Sequence, residues 1–158
     1  MPFDLKAEFM TQWEGNRRLT LRTAAAFPAG QLLTFTPAQP LRPFGAMCDE
    51  IARMQLAYMR GLAEDRWVYD ADDPARPKDA AGVAALLENV QDYTRRAWPE
   101  ISEQTLLTVR EDPFFFGATK RPYDWLVYCL ENEIHHRGQG YIYLRHLGIE
   151  PPAFWERG

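Results

Sequence analysis

The chain has 158 residues, of which 46% are apolar and 25% charged, with a formal net charge of −4. This length and composition predict one soluble domain over residues 1–158 with one hydrophobic core. An acidic chain without a cluster of basic residues is not expected to bind nucleic acid, and the Arg17–Arg18 pair is interpreted as part of a solvated helix face. The apolar runs are also too short for a membrane span.

Cysteine usage and the N-terminal sequence indicate a cytoplasmic protein. Cys48 and Cys129 show no Cys-x-x-Cys spacing, so neither a zinc knuckle nor a redox motif is predicted. Two isolated cysteines suit core packing in a reducing compartment. The first residues lack the basic segment followed by an apolar run that marks a signal peptide.

The first half of the chain predicts two helices. The first covers about residues 4–27 and ends at Pro28-Ala29-Gly30. The second covers about residues 43–63, with Pro43 in its first turn. Proline is tolerated there because the backbone N–H that it lacks would have no hydrogen-bond partner within the helix. Its buried stripe follows i, i+3, i+4 spacing and consists of Phe44, Met47, Ile51, Met54, Tyr58 and Leu62.

The second half predicts two more helices. One covers about residues 79–98, with Asp79 as its N-cap, and the last covers about residues 123–147 and stops at Gly148. Long connections follow the first and third helices. The pattern therefore predicts an all-α four-helix bundle with long crossover connections, in which some neighbouring helices run parallel.

The last helix has two apolar faces, so it must be covered on both sides. One face carries Leu126, Leu130, Ile134, Tyr141 and Leu144, and the other carries Trp125, Cys129, Tyr143 and Leu147. The bundle covers one face. Either the aromatic segment 114–116 or a second subunit covers the other, and Gly138 permits close helix approach. We therefore expect a homodimer formed through this region.

Polar residues interrupt the second face of this helix. Asn132, His136 and Gln139 follow one another at i, i+4 and i+7, and the first two are placed side by side, as two ligands of one metal would be. Glu50 lies at the margin of the second helix's apolar stripe and needs a partner there. We therefore expect Glu50, Asn132 and His136 to meet inside the bundle.

Two segments carry a resemblance to a known family. The run 132–139, Asn-Glu-Ile-His-His-Arg-Gly-Gln, with the following Tyr143-Leu144-Arg145, resembles the last helix of the DinB/YfiT family of DNA-damage-inducible metalloenzymes. Residues 43–51 resemble its second helix. The resemblance implies a four-helix bundle, commonly a homodimer, in which three histidines hold a divalent ion.

The resemblance assigns the metal-ligand positions to Glu50, Asn132 and His136, of which only His136 keeps the family's histidine. Glu50 and His136 are good ligands for zinc, nickel or manganese, whereas the Asn132 amide is a weak one. His135 belongs to the motif but points about 100° away from His136 and, with Gln139, is expected to orient a substrate. The alternative is a hydrogen-bond network of Glu50, Asn132, His136 and Gln139 in place of the metal.

Two functions are compatible with these sequence features. In the first, the chain is a metal-dependent transferase or hydrolase of the thiol-dependent type, and the ion activates a low-molecular-weight thiol. In the second, the chain is a non-catalytic dimeric protein of the stress response that binds a small molecule and has lost the metal. Bound metal in the purified protein distinguishes the two.

Overall fold

The computed structural model describes residues 3–70 and 73–158, so four positions of the predicted domain lie outside it. Four long helices form the bundle: α1 (Leu5–Ala25), α2 (Phe44–Glu64), α3 (Ala80–Ala97) and α5 (Pro122–His146). The connection from α3 to α5 contains a 3₁₀ turn (Trp98–Glu100), a short helix α4 (Glu103–Leu107) and a hairpin of β1 (Arg110–Glu111) and β2 (Thr119–Lys120). The predicted all-α class is confirmed, and the hairpin was not predicted.

The helix ends follow the capping residues of the sequence. Asp4 caps α1 by accepting a hydrogen bond from the N–H of Ala7, and Asp79 caps α3 in the same way through Gly82. Gly148 follows α5 with a φ of 74°, a left-handed conformation that glycine adopts without strain. Both predicted signals, Asp79 and Gly148, are therefore confirmed.

The connectivity is of the crossover type. α1 packs against α3 and α5, and α2 packs against the same two helices, so the consecutive helices α1 and α2 lie on opposite corners of the bundle. The ring of Phe9 contacts that of Tyr123, and Asn16, further along α1, contacts Arg137, further along α5. α1 and α5 are therefore parallel neighbours, as the long connections predict.

α5 lies between α1 and α2, which cover most of its two apolar faces, whereas Ile134 on the first face is 41% exposed. The helix approach is close at Gly140, where a Cβ would lie 2.8 Å from the ring of Phe44 on α2. Gly138, by contrast, is exposed, and nothing lies within 4 Å of its Cβ position. Homodimerisation stays a prediction, which the molecular mass in solution tests.

A buried polar layer joins all four long helices. Arg17 is 1% exposed, so its interpretation as a solvated residue was wrong. Its guanidinium donates two hydrogen bonds of 3.0 Å to the fully buried carboxylate of Glu133 on α5, one of 2.6 Å to Gln55 on α2 and one of 2.8 Å to the carbonyl of Leu87 on α3. Gln55 in turn donates to Gln91 and Thr94.

Two apolar clusters lie on either side of this layer. One contains Phe44, Ile51, Leu87 and Tyr143, and the other contains Phe9, Trp13, Tyr58, Trp98 and Trp125, among others. On α1, α3 and α5 the polar residue falls between the positions that belong to the two clusters. Among the described residues, no helix combines the length and apolar character of a membrane span.

We predict that Glu133→Gln lowers the free energy of unfolding by about 3–5 kcal/mol, because it leaves the Arg17 charge buried without its counter-ion. Urea denaturation measures this. The control Arg18→Ala removes a neighbouring but partly exposed ion pair and should cost less than about 1 kcal/mol. Equal effects of the two substitutions would contradict a stabilising role for the polar layer.

Candidate functional site

The antiparallel packing of α2 and α5 brings Glu50 and His136 together. Tyr58 lies against Trp125 near the end of α2, and Phe44 lies against Gly140 near its start. Glu50 lies between these contacts, and its Oε1 is 3.1 Å from Nε2 of His136. The ionised carboxylate has no proton to donate, so the imidazole Nε2–H donates this hydrogen bond.

Gln139 engages the other side of the imidazole. Its Oε1 lies 2.8 Å from Nδ1 of His136, one helical turn away. Both ring nitrogens of His136 are therefore engaged by the protein. Of the four residues in the alternative hydrogen-bond network, Glu50, His136 and Gln139 are connected in the structure.

Arg42 completes the site, and it was not among the residues predicted from the sequence. Its guanidinium NH1 donates a hydrogen bond of 2.5 Å to Oε2 of Glu50. The hydroxyl of Tyr143 on α5 donates to the carbonyl of Arg42, which fixes the backbone before Pro43. An arginine directly before the proline that opens α2 is the one signal that points to it.

The remaining two predicted residues stay outside this hydrogen-bonded chain. Nδ2 of Asn132 is buried and has no hydrogen-bond partner among the described residues. His135 is exposed, and its ring meets that of His136 edge to face, with centroids 5.2 Å apart. The chain of contacts is thus Arg42–Glu50–His136–Gln139, without Asn132.

Two cationic or polar donors hold Glu50 in its ionised form. Burial by itself raises the pKa of the carboxyl, but the hydrogen bonds from Arg42 and His136 and the charges of these groups outweigh it. The net result is a pKa below the usual value of a glutamate. The site therefore carries a fixed negative charge that a guanidinium neutralises.

The model of the DinB family matches residues 1–157. The chain belongs to the DinB family. No curated protein matches it.

Two solved DinB-like structures share the fold. One, from Bacillus subtilis, superposes with a TM-score of 0.75 at 18% sequence identity. The superposition covers 96% of this chain and 99% of the Bacillus subtilis chain. The other, from Bacillus cereus, superposes with a TM-score of 0.70 at 18% sequence identity, and the superposition covers 93% of this chain and 95% of the other. At this identity the likeness shows the DinB fold alone.

The residues at the DinB ligand positions fit a resident divalent ion poorly. Two ligands that each lie about 2.0–2.2 Å from one ion are about 3 Å apart, so the spacing of Glu50 and His136 agrees with a shared ion. However, Arg42 holds one oxygen of the carboxylate, and its positive charge opposes a second cation. Among residues 3–70 and 73–158, no three His, Cys, Asp or Glu side chains group as metal ligands.

A surface cavity of about 340 Å³ adjoins the hydrogen-bonded chain. It lies between the segment before α2 and the last turns of α5, and is lined by Pro37, Ala38, Leu41, Gln139, Ile142, Tyr143 and His146. Gln139 and Tyr143 belong both to the cavity wall and to the contacts of His136 and Arg42. A molecule in this cavity would therefore touch groups that hold the site together.

We predict that Glu50→Gln destabilises the protein at neutral pH and that this deficit shrinks as the pH falls. Folding lowers the pKa of Glu50, so the ionised carboxylate stabilises the folded state. This contribution is complete above the pKa of a glutamate in the unfolded chain, about 4.3. It is lost as the pH falls through the lower pKa of Glu50 in the folded state. Thermal unfolding of both proteins between about pH 6 and pH 3 measures it. Glu131→Gln, an exposed change on α5, is the control, and a deficit independent of pH would contradict the prediction.

Proposed function

We propose that this DinB-family chain is a binding protein for a small, largely apolar molecule, held in the cavity beside Gln139, and that it works without a resident metal ion. The observation that carries the proposal is the Arg42–Glu50–His136–Gln139 chain. In it, a guanidinium supplies the positive charge that an ion would otherwise bring to Glu50.

The hydrogen bonding of His136 supports binding rather than acid–base catalysis. A general base needs a ring nitrogen within hydrogen-bond reach of its substrate. Here Nε2 faces Glu50 and Nδ1 faces Gln139, so neither nitrogen is available to a substrate. The group that a ligand meets first is the amide of Gln139, which lines the cavity.

The shape and lining of the cavity support an apolar ligand. Leu41, Ile142 and Tyr143 supply apolar surface, and Gln139 and His146 supply the polar groups that orient a ligand. A few hundred cubic ångströms with few polar groups is typical of small-molecule sites. We expect the ligand to bury its apolar part against Leu41 and Ile142.

The competing function is that of a metal-dependent transferase or hydrolase that uses a low-molecular-weight thiol. Glu50, Asn132 and His136 would then hold zinc, nickel or manganese. One observation favours it: the contact of Gln139 with Nδ1 of His136 resembles the way that a metal-ligating imidazole is oriented from its far side. Against it stands the charge of Arg42.

We predict that the purified protein retains no stoichiometric metal and binds zinc or nickel more weakly than about 0.1 mM, because two ligands and a guanidinium replace three imidazoles. Arg42→Gln should tighten zinc binding about tenfold, and the exposed control Arg96→Gln should not. The Glu50→His, Asn132→His double substitution should tighten it further. Metal analysis by mass spectrometry and calorimetric titration measure these effects. Stoichiometric metal in the wild-type protein, together with thiol binding, would favour the enzyme instead.

We predict that an apolar fluorescent probe binds in the cavity and that Ala38→Trp abolishes this binding, because the indole fills the space between the loop and α5. The matched control is Ile134→Trp, which places the same indole on an exposed part of α5 outside the cavity lining. Fluorescence titration of the three proteins measures the affinity. Equal loss, or no loss, in both variants would contradict the proposed binding site.

A further inference from the structure

A second cavity lies at the opposite end of the α2–α5 interface, beneath the β1–β2 hairpin. Its volume is about 150 Å³, and its main lining residues are Tyr58, Asp112, Phe115, Lys120, Trp125 and Tyr128. Tyr58 follows Glu50 by eight residues of helix, about 12 Å along the axis, so this cavity is distinct from the site at Glu50. A cavity of this volume accommodates a molecule of about the size of benzene.

The side chain of Asp112 is a buried carboxylate without a cationic partner. It is 4% exposed, and no ion pair joins it to a Lys, Arg or His within the part of the chain that the structure describes. Its Oδ1 accepts hydrogen bonds from the N–H groups of Phe114 and Phe115, and the hydroxyl of Tyr58 donates to both of its oxygens. These bonds satisfy the oxygens but leave a net negative charge in the wall, where buried charges are normally paired.

Burial, and after it the charge and hydrogen bond of Asp112, raises the pKa of Tyr58. The Tyr58 hydroxyl therefore stays a neutral donor and cannot take the place of a cation beside Asp112.

The remaining walls of the cavity are aromatic, and the same aromatic cluster already attracts a cation of the protein itself. The guanidinium of Arg110 lies 4.7 Å from the ring centroid of Trp67 and 5.4 Å from that of Trp125. Phe115 and Tyr128 pack edge to face and are about half exposed at the mouth. Aromatic faces close to an uncompensated carboxylate favour a cationic ligand.

Two other charged side chains, Asp124 and Lys120, line the mouth of the cavity. Asp124 is paired with Arg121 through hydrogen bonds of 2.8 and 2.9 Å. The Lys120 side chain makes no ion pair or hydrogen bond with the described residues, and it is exposed at the rim, where its charge opposes a cation. The indole N–H of Trp125 is a buried donor without a partner among the described residues.

We propose that this cavity binds a small organic ammonium compound, with Asp112 supplying the counter-charge and Tyr58, Phe115, Trp125 and Tyr128 supplying the aromatic walls. The ligand enters past Lys120. This proposal is independent of the function assigned to the cavity beside Gln139.

Calorimetric titration of the full chain with choline tests the proposal, alongside its uncharged isostere, in which a tert-butyl group replaces trimethylammonium. We expect choline to bind at least tenfold more tightly than the isostere, a factor that corresponds to about 1.4 kcal/mol. Asp112→Asn should abolish this preference. The asparagine carbonyl can take the place of Oδ1 and keep the bonds from Phe114, Phe115 and Tyr58, so the substitution removes chiefly the charge.

Two further variants and one control test the roles of the aromatic wall and of the charge at the rim. Tyr128→Leu, at the exposed mouth, should weaken choline binding without disturbing the core, whereas Lys120→Gln should strengthen it because a like charge is removed from the rim. Asp92→Asn, a change of the same kind on the exposed face of α3, should have no effect. Equal affinity for choline and its isostere, or unchanged choline binding in both Asp112→Asn and Tyr128→Leu, would overturn the proposal.

Discussion

The Arg17–Glu133 ion pair lies between the two apolar clusters of the bundle, and the position of every long helix depends on it. A guanidinium can be buried here because it donates four hydrogen bonds, to acceptors on α5, α2 and α3. Apolar packing alone tolerates sliding of one helix against another, whereas these hydrogen bonds hold only at one register. The polar layer thereby fixes which residues of α2 face which residues of α5.

Both candidate sites follow from that register. With Gln55 and Glu133 held to Arg17, Glu50 lies one to two turns from the layer on α2 and meets His136 on α5. On the other side of the layer, Tyr58 meets Trp125 and forms the wall of the second cavity. The α2–α5 interface thus carries two chemically different surfaces, one built around a neutralised carboxylate and one around a carboxylate that pairs with no cationic side chain in the described part of the chain.

Arg42 changes the chemistry of the DinB position. Three neutral imidazoles would leave a place for a cation, whereas Glu50 with Arg42 is already a neutral pair. The Tyr143 hydroxyl keeps the backbone of Arg42 against α5, so the guanidinium is placed by the bundle and not only by its own attraction to Glu50. The same tyrosine also lines the adjoining cavity.

Sequence by itself determined the elements that depend on local signals and periodicity: four helices, the Asp79 cap, the stop at Gly148 and the polar interruption at Asn132, His136 and Gln139. It also indicated that Glu50 and His136 meet, because each is a polar residue on an otherwise buried face. Only the tertiary structure decided the partners of charged residues, since those partners are remote in the chain. The sequence alone predicts Arg17 to be a surface residue, because its partner Glu133 lies 116 positions later in the chain. Arg42 and Asp112 lie in connections without periodicity, so only the folded chain shows that Glu50 has a guanidinium partner and that Asp112 has none among residues 3–70 and 73–158.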